Sequence, residues 1–173
     1  MTLAAWRRLV ENQGLQFPEA IMKKLFLALA LLCLPLSAWA DNGYAVVFKT
    51  QGNYQDVRDM LEIAIESKGL KITNTNMIAN MLERTGEVVG STKLLYTGGE
   101  QMNFCSATIS RHMMDADPHA MVLCPYSISV YAIPNDKNVY LAYRKSAPTK
   151  NPALKKSLMD IEKLLNEIIK DVL

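Results

Sequence analysis

Cysteine and histidine are scarce in this chain, at three and two of 173 residues. Their scarcity excludes several site types at once. No C-x-x-C is present, so no zinc ribbon, thioredoxin-type motif or covalent haem attachment can be built. G-x-S-x-G, H-E-x-x-H, the phosphate-loop pattern and the dinucleotide fingerprint are missing as well. The chain also lacks an uninterrupted apolar run of the roughly 20 residues that a membrane span requires.

The segment from Met22 to Ala40 supplies an address. Met22, Lys23 and Lys24 form a basic start, Leu25 to Leu36 an apolar core broken by Pro35, and Ala38-Trp39-Ala40 a small-residue cleavage site. These are the three parts of a secretory signal, with cleavage expected before Asp41. Cys33 lies within the apolar core but is preceded by Leu32, where a lipidated cysteine needs a small residue. Residues 1 to 21 then read as translation from a start upstream of the real one. Residues 41–173 are the expected mature domain, periplasmic or secreted, with no stable membrane span after cleavage.

Charge narrows the partners. Removing Arg7, Arg8, Lys23 and Lys24 from the 19 basic residues, and Glu11 and Glu19 from the 17 acidic ones, leaves 15 of each sign. A neutral domain lacks the basic stripe that neutralises phosphates, so no nucleic-acid partner is expected. About 130 residues suffice for one domain with a real core and are too few for two.

The elements follow from periodicity. Gly43 to Phe48 suits a strand, and the Gln51-Gly52-Asn53 break leads into a helix capped by Asn53. In that helix Val57, Met60, Leu61, Ala64 and Ile65 recur at helical spacing. Gly69 stops it, and Leu70 to Thr73 reads as a second strand. Asn76 to Glu83 is expected as a short helix with Met77, Ile78, Met81 and Leu82 inward, its methionines core residues rather than metal ligands. Leu94 to Tyr96 and Gln101 to Phe104 read as strand pieces separated by a Gly98-Gly99 turn or bulge.

Ser106 caps a helix that runs to about Asp115, and Asp117-Pro118 closes it. From Cys124 to Ile133 the chain alternates, with Tyr126, Ile128, Val130 and Ala132 on one face. Asn135 to Asn138 turns it into Val139 to Tyr143. Asn151-Pro152 starts a terminal helix whose Leu154, Leu158, Ile161, Leu165, Ile168 and Val172 form one stripe. That stripe serves either core packing on the sheet or the seam of a homodimer.

The order Phe104-Cys105, Asp115-Ala116-Asp117-Pro118, Met121-Val122-Leu123, Pro125 and Ile128-Ser129-Val130-Tyr131 resembles the family called domain of unknown function 302. Gly52-Asn53-Tyr54 and Gly69-Leu70 to Thr73 fit that family's opening, so the resemblance covers roughly residues 44–145. It implies a single compact α+β domain with an antiparallel-rich sheet packed by helices, and it brings no established reaction. Many members carry Asn-Pro after the first cysteine, where this chain has Ser106-Ala107. Many carry a cysteine after the later proline, where this chain has Tyr126, with Cys124 before the proline.

Cys105 and Cys124 are the cysteines of the mature domain, and an oxidising compartment permits them to pair. A bridge would close a loop of about 20 residues and contribute about 3 kcal/mol through the unfolded state. Cys105 also precedes a helix start, where the dipole and free N–H groups favour a thiolate. Cys105, His112, His119 and Cys124 are suitable metal ligands by type, but spacings of 7, 7 and 5 match no zinc signature. His112 and His119 are polar site candidates, simplest as helix and loop residues.

No catalytic residue and no cofactor is assigned. The leading expectation is a non-catalytic binding or accessory protein for a small apolar ligand or a protein partner. The alternatives are a thiol redox protein using Cys105 and Cys124, and a metal-binding accessory protein.

Overall fold

The computed structural model describes residues 43–173. The expected signal segment and the residues before it lie outside this range. Five strands form one antiparallel sheet in the order β1-β5-β4-β3-β2: β1 (Ala45–Gln51), β2 (Ile72–Asn76), β3 (Gly98–Phe104), β4 (Tyr126–Ala132) and β5 (Asn138–Arg144). The helices are α1 (Tyr54–Ser67), α2 (Ile78–Thr85), α3 (Ala107–Ala116) and α4 (Pro152–Lys170), with a 3-10 turn at Pro118–Leu123. The α+β class and the terminal helix are as expected from the sequence. None of these helices is long and apolar enough to cross a membrane.

β1 and β2 occupy opposite edges of the sheet, and α1 connects them. Asn53 Oδ1 accepts from Gln55 N at 2.8 Å to cap α1, and Gly69 follows it at φ +71. Val57, Leu61, Ala64 and Ile65 are buried, while Met60 is 43% exposed at the edge of the stripe.

One face of the sheet carries the core. On β4, Tyr126, Ile128, Val130 and Ala132 are buried, meeting the alternation read from the sequence. They pack with Met102, Phe104, Leu141, Met113 and the stripe of α4. That stripe, including Leu154, Leu158, Ile161, Leu165, Ile168 and Val172, is buried within the chain. Asn151 Oδ1 caps α4 through Ala153 N and Leu154 N at 3.0 and 3.1 Å.

Four expectations fail. β2 starts at Ile72, not Leu70. Residues 94–96 form no strand, and Gly98-Gly99 is the start of β3 rather than a turn. The pair is needed for close approach: a Cβ on Gly98 would stand 2.7 Å from the Tyr54 ring, and one on Gly99 3.3 Å from Ala79 Cβ. Helix α2 therefore crosses β3 on the face away from the main core. For this reason none of its residues is fully buried, and Met77 and Met81, expected inside, are 46% and 40% exposed.

Candidate functional site

The face of the sheet opposite the core is only partly covered, and a cleft of about 340 Å³ opens there. Its floor comes from alternate residues of neighbouring strands, because successive side chains point to opposite faces. Val47, Ala142, Ser129 and Gln101 make one row through the pairings Val47–Ala142, Ser129–Ala142 and Gln101–Ser129. Ser127 and Tyr131 extend the floor along β4, and Ile78, Ala79 and Tyr96 make a wall. Tyr44 and Arg144 stand at the β1–β5 side.

The floor mixes apolar and polar side chains and carries no charge. Gln101 Nε2 donates to Ser129 Oγ at 3.4 Å, and Asn76 Nδ2 donates to Gln101 Oε1 at 3.4 Å. Aromatic rings stand at one end: Tyr131 meets Tyr96 edge-on at 5.7 Å and stacks on Tyr140 at 5.3 Å. Burial, with smaller contributions from the neighbouring tyrosines, pushes the Tyr131 hydroxyl above its ordinary value, so it stays neutral.

Glu100 borders the cleft but turns its carboxylate to the core side, where it accepts from Arg58 Nε at 3.2 Å. Arg58 also pairs with Asp59 and Glu62. Tyr54 OH is buried there without a hydrogen bond. Burial first, and the Glu100 charge second, raise its pKa.

A second cluster lies at the other end of the β3–β4 ladder. Phe104 pairs with Tyr126, so one further step along both strands brings Cys105 beside the cis Cys124–Pro125 peptide. Ser110, on α3, joins the cluster: its Oγ lies 3.2 Å from Cys124 Sγ and 3.0 Å from Tyr126 OH. Cys105 and Cys124 are both half-buried free thiols, and they lie close enough for the one to perturb the other.

Cys105 stands ahead of the helix start as expected, but its surroundings disfavour a thiolate. Ser106 caps α3, its Oγ accepting from Ile109 N at 3.5 Å, with Cys105 immediately before it. Burial, then the Cys124 thiol, push the Cys105 pKa up; the Tyr126 N–H and Ser110 hydroxyl oppose this without reversing it.

The histidines stand apart. His112 and His119 are both exposed, and the His119 backbone N–H donates to Asp117 Oδ1 at 2.9 Å. No three His, Cys, Asp or Glu side chains among the described residues converge as metal ligands, so Cys105, His112, His119 and Cys124 do not come together as a set. The structure thus unites the two cysteines and leaves both histidines out.

The cleft was not found by reading the sequence. Its signal was the exposed-side set of β4, Ser127, Ser129 and Tyr131, which carries no charge. A solvent-washed strand face normally carries some.

The family described as Domain of unknown function DUF302 matches residues 46–172, and the chain belongs to it. A similar solved structure is the crystal structure of an uncharacterized conserved protein of that family from Bacillus stearothermophilus. It shares 16% identity at a TM-score of 0.61, covering 75% of this chain and 98% of that one. At that identity the likeness shows the fold alone. Comparison with curated proteins finds no match.

Proposed function

We propose that this chain is an exported protein that works by binding a small, largely apolar ligand in the open-face cleft, without catalysing its conversion. The carrying observation is the cleft. Its volume of about 340 Å³ falls at the low end of the range of about 300–1,000 Å³ usual for small-molecule sites. Its mixture of apolar walls, tyrosine rings and a few polar groups is the usual composition of such sites. The export part of the reading is supported by the Met22 to Ala40 segment alone.

The test is calorimetric titration with a neutral probe, 4-(2-naphthyl)butan-1-ol. Wild-type protein is expected to bind it, and Ser129→Trp, which fills the floor, is expected to abolish binding without unfolding the domain. Equal binding by both proteins overturns the reading. An intact mass starting at Asp41 in the exported fraction supports the address, and a retained N-terminus overturns it.

A second reading is favoured by the Cys105–Cys124–Ser110 contact. In it the two thiols give two electrons and two protons to a disulfide on a partner, which leaves as two thiols while a Cys105–Cys124 bond forms. A redox pair is easily reduced with little change in stability, whereas a structural bridge resists mild reductant and its loss destabilises the fold.

A further inference from the structure

Among the residues lining the cleft, the unpaired charge stands at one end, while Lys49, level with Tyr140 on the same face, lies outside the lining. Arg144 lines the cleft, is exposed, and makes no ion pair among the described residues. Glu100, the carboxylate nearest the cleft lining, is engaged by Arg58 on the far side of the sheet. Beside an uncharged floor, one uncompensated guanidinium sets a positive potential at its end of the cleft. Its planar fork matches a carboxylate through two parallel hydrogen bonds.

The other end suits a ring. Tyr131 and Tyr96 present an edge-to-face pair, and Tyr131 is fixed from behind by its stack on Tyr140. The two ends have a defined separation. Ser129 pairs with Ala142, so Arg144 lies level with Ser127, four residues along β4 from Tyr131. At about 3.3 Å per residue, this is roughly 13 Å.

We infer that the cleft selects an elongated amphipathic carboxylate, its flat apolar end against Tyr96 and Tyr131 and its acid at Arg144. The inference rests on the cleft being a binding site, and it adds the ligand's charge and length. Lys49, level with Tyr140 on the same face, is the neighbouring cation, and an acid preference retained in Arg144→Gln would assign the charge effect to it.

The experiment titrates two probes of one skeleton, 4-(2-naphthyl)butanoate and 4-(2-naphthyl)butan-1-ol, into wild type, Arg144→Gln and Ser129→Trp at low salt. The acid is expected to bind wild type about tenfold more tightly than the alcohol, the size of one charge-assisted contact at a partly exposed site. In Arg144→Gln that preference should fall to about one. Added salt should weaken the acid alone. Equal affinities in wild type, or an acid preference that survives Arg144→Gln, overturn the inference while the cleft reading stands. Failure of both probes to bind wild type, or alcohol binding unaltered by Ser129→Trp, overturns the cleft reading and the inference together.

Discussion

Tyr131 stacks on Tyr140 across the β4–β5 ladder, with ring centroids 5.3 Å apart and planes 13° from parallel. The stack holds the Tyr131 ring upright at the end of the cleft. Tyr131→Ala is expected to cost about 1 kcal/mol of stability, the usual size of an aromatic pair. It should weaken the naphthyl alcohol by about tenfold or more. Urea denaturation and calorimetry check the two effects separately, and a stability loss with unchanged affinity would remove Tyr131 from the binding surface.

The thiol cluster makes a pH prediction. Because burial and Cys124 raise the Cys105 pKa, its thiolate is scarcer at neutral pH than that of free cysteine, whose pKa is about 8.5. Alkylation of Cys105 in the reduced protein should be slower than that of free cysteine at pH 7.5 and should climb only above that value. The linked stability is complete below the unfolded pKa and is lost as pH rises through the folded one. Ser110→Ala removes a group that lowers the Cys105 pKa, so alkylation should slow further. Peptide-resolved mass spectrometry against pH checks both.

Gly98 faces the Tyr54 ring, where an added Cβ would stand 2.7 Å from the ring carbons. The far end of that ring is enclosed, its hydroxyl buried beside Glu100, which leaves it little room to shift. Gly98→Ala is therefore expected to destabilise the domain by about 1–3 kcal/mol, the usual range for overpacking. Chemical denaturation reads this directly.

Ile168 on α4 is fully buried, while Met159 on the same helix is 61% exposed. Ile168→Ala should cost about 2–5 kcal/mol and Met159→Ala less than about 0.5 kcal/mol. Comparable costs for the two would contradict the packing of the α4 stripe against the sheet.

The sequence was most readable where one local signal decided the outcome. Asn53, Ser106 and Asn151 cap the helices they were expected to cap. The alternation from Tyr126 to Ala132 placed β4 with the correct face inward. Reading failed where tertiary packing decided. Gly98 and Gly99 look like a turn in isolation, yet they are strand residues because Tyr54 and Ala79 press on them from opposite faces. Met77 and Met81 look like core because their spacing is helical, yet α2 lies on the sparsely covered face.

The candidate sites divide in the same way. Cys105 and Cys124 stood out by type, and the β3–β4 register brings them together. The cleft residues Gln101, Ser129, Ala142 and Arg144 come from three strands and share no sequence motif. Their proximity is a product of strand order, which no local pattern encodes.

The most direct test of the binding account is amide chemical-shift mapping of uniformly labelled domain during titration with 4-(2-naphthyl)butanoate. The account predicts shifts concentrated at Gln101, Ser127, Ser129, Tyr131, Ala142 and Arg144. Shifts confined to the Cys105 to Ser110 region or to α4, or none at saturating probe, would contradict it.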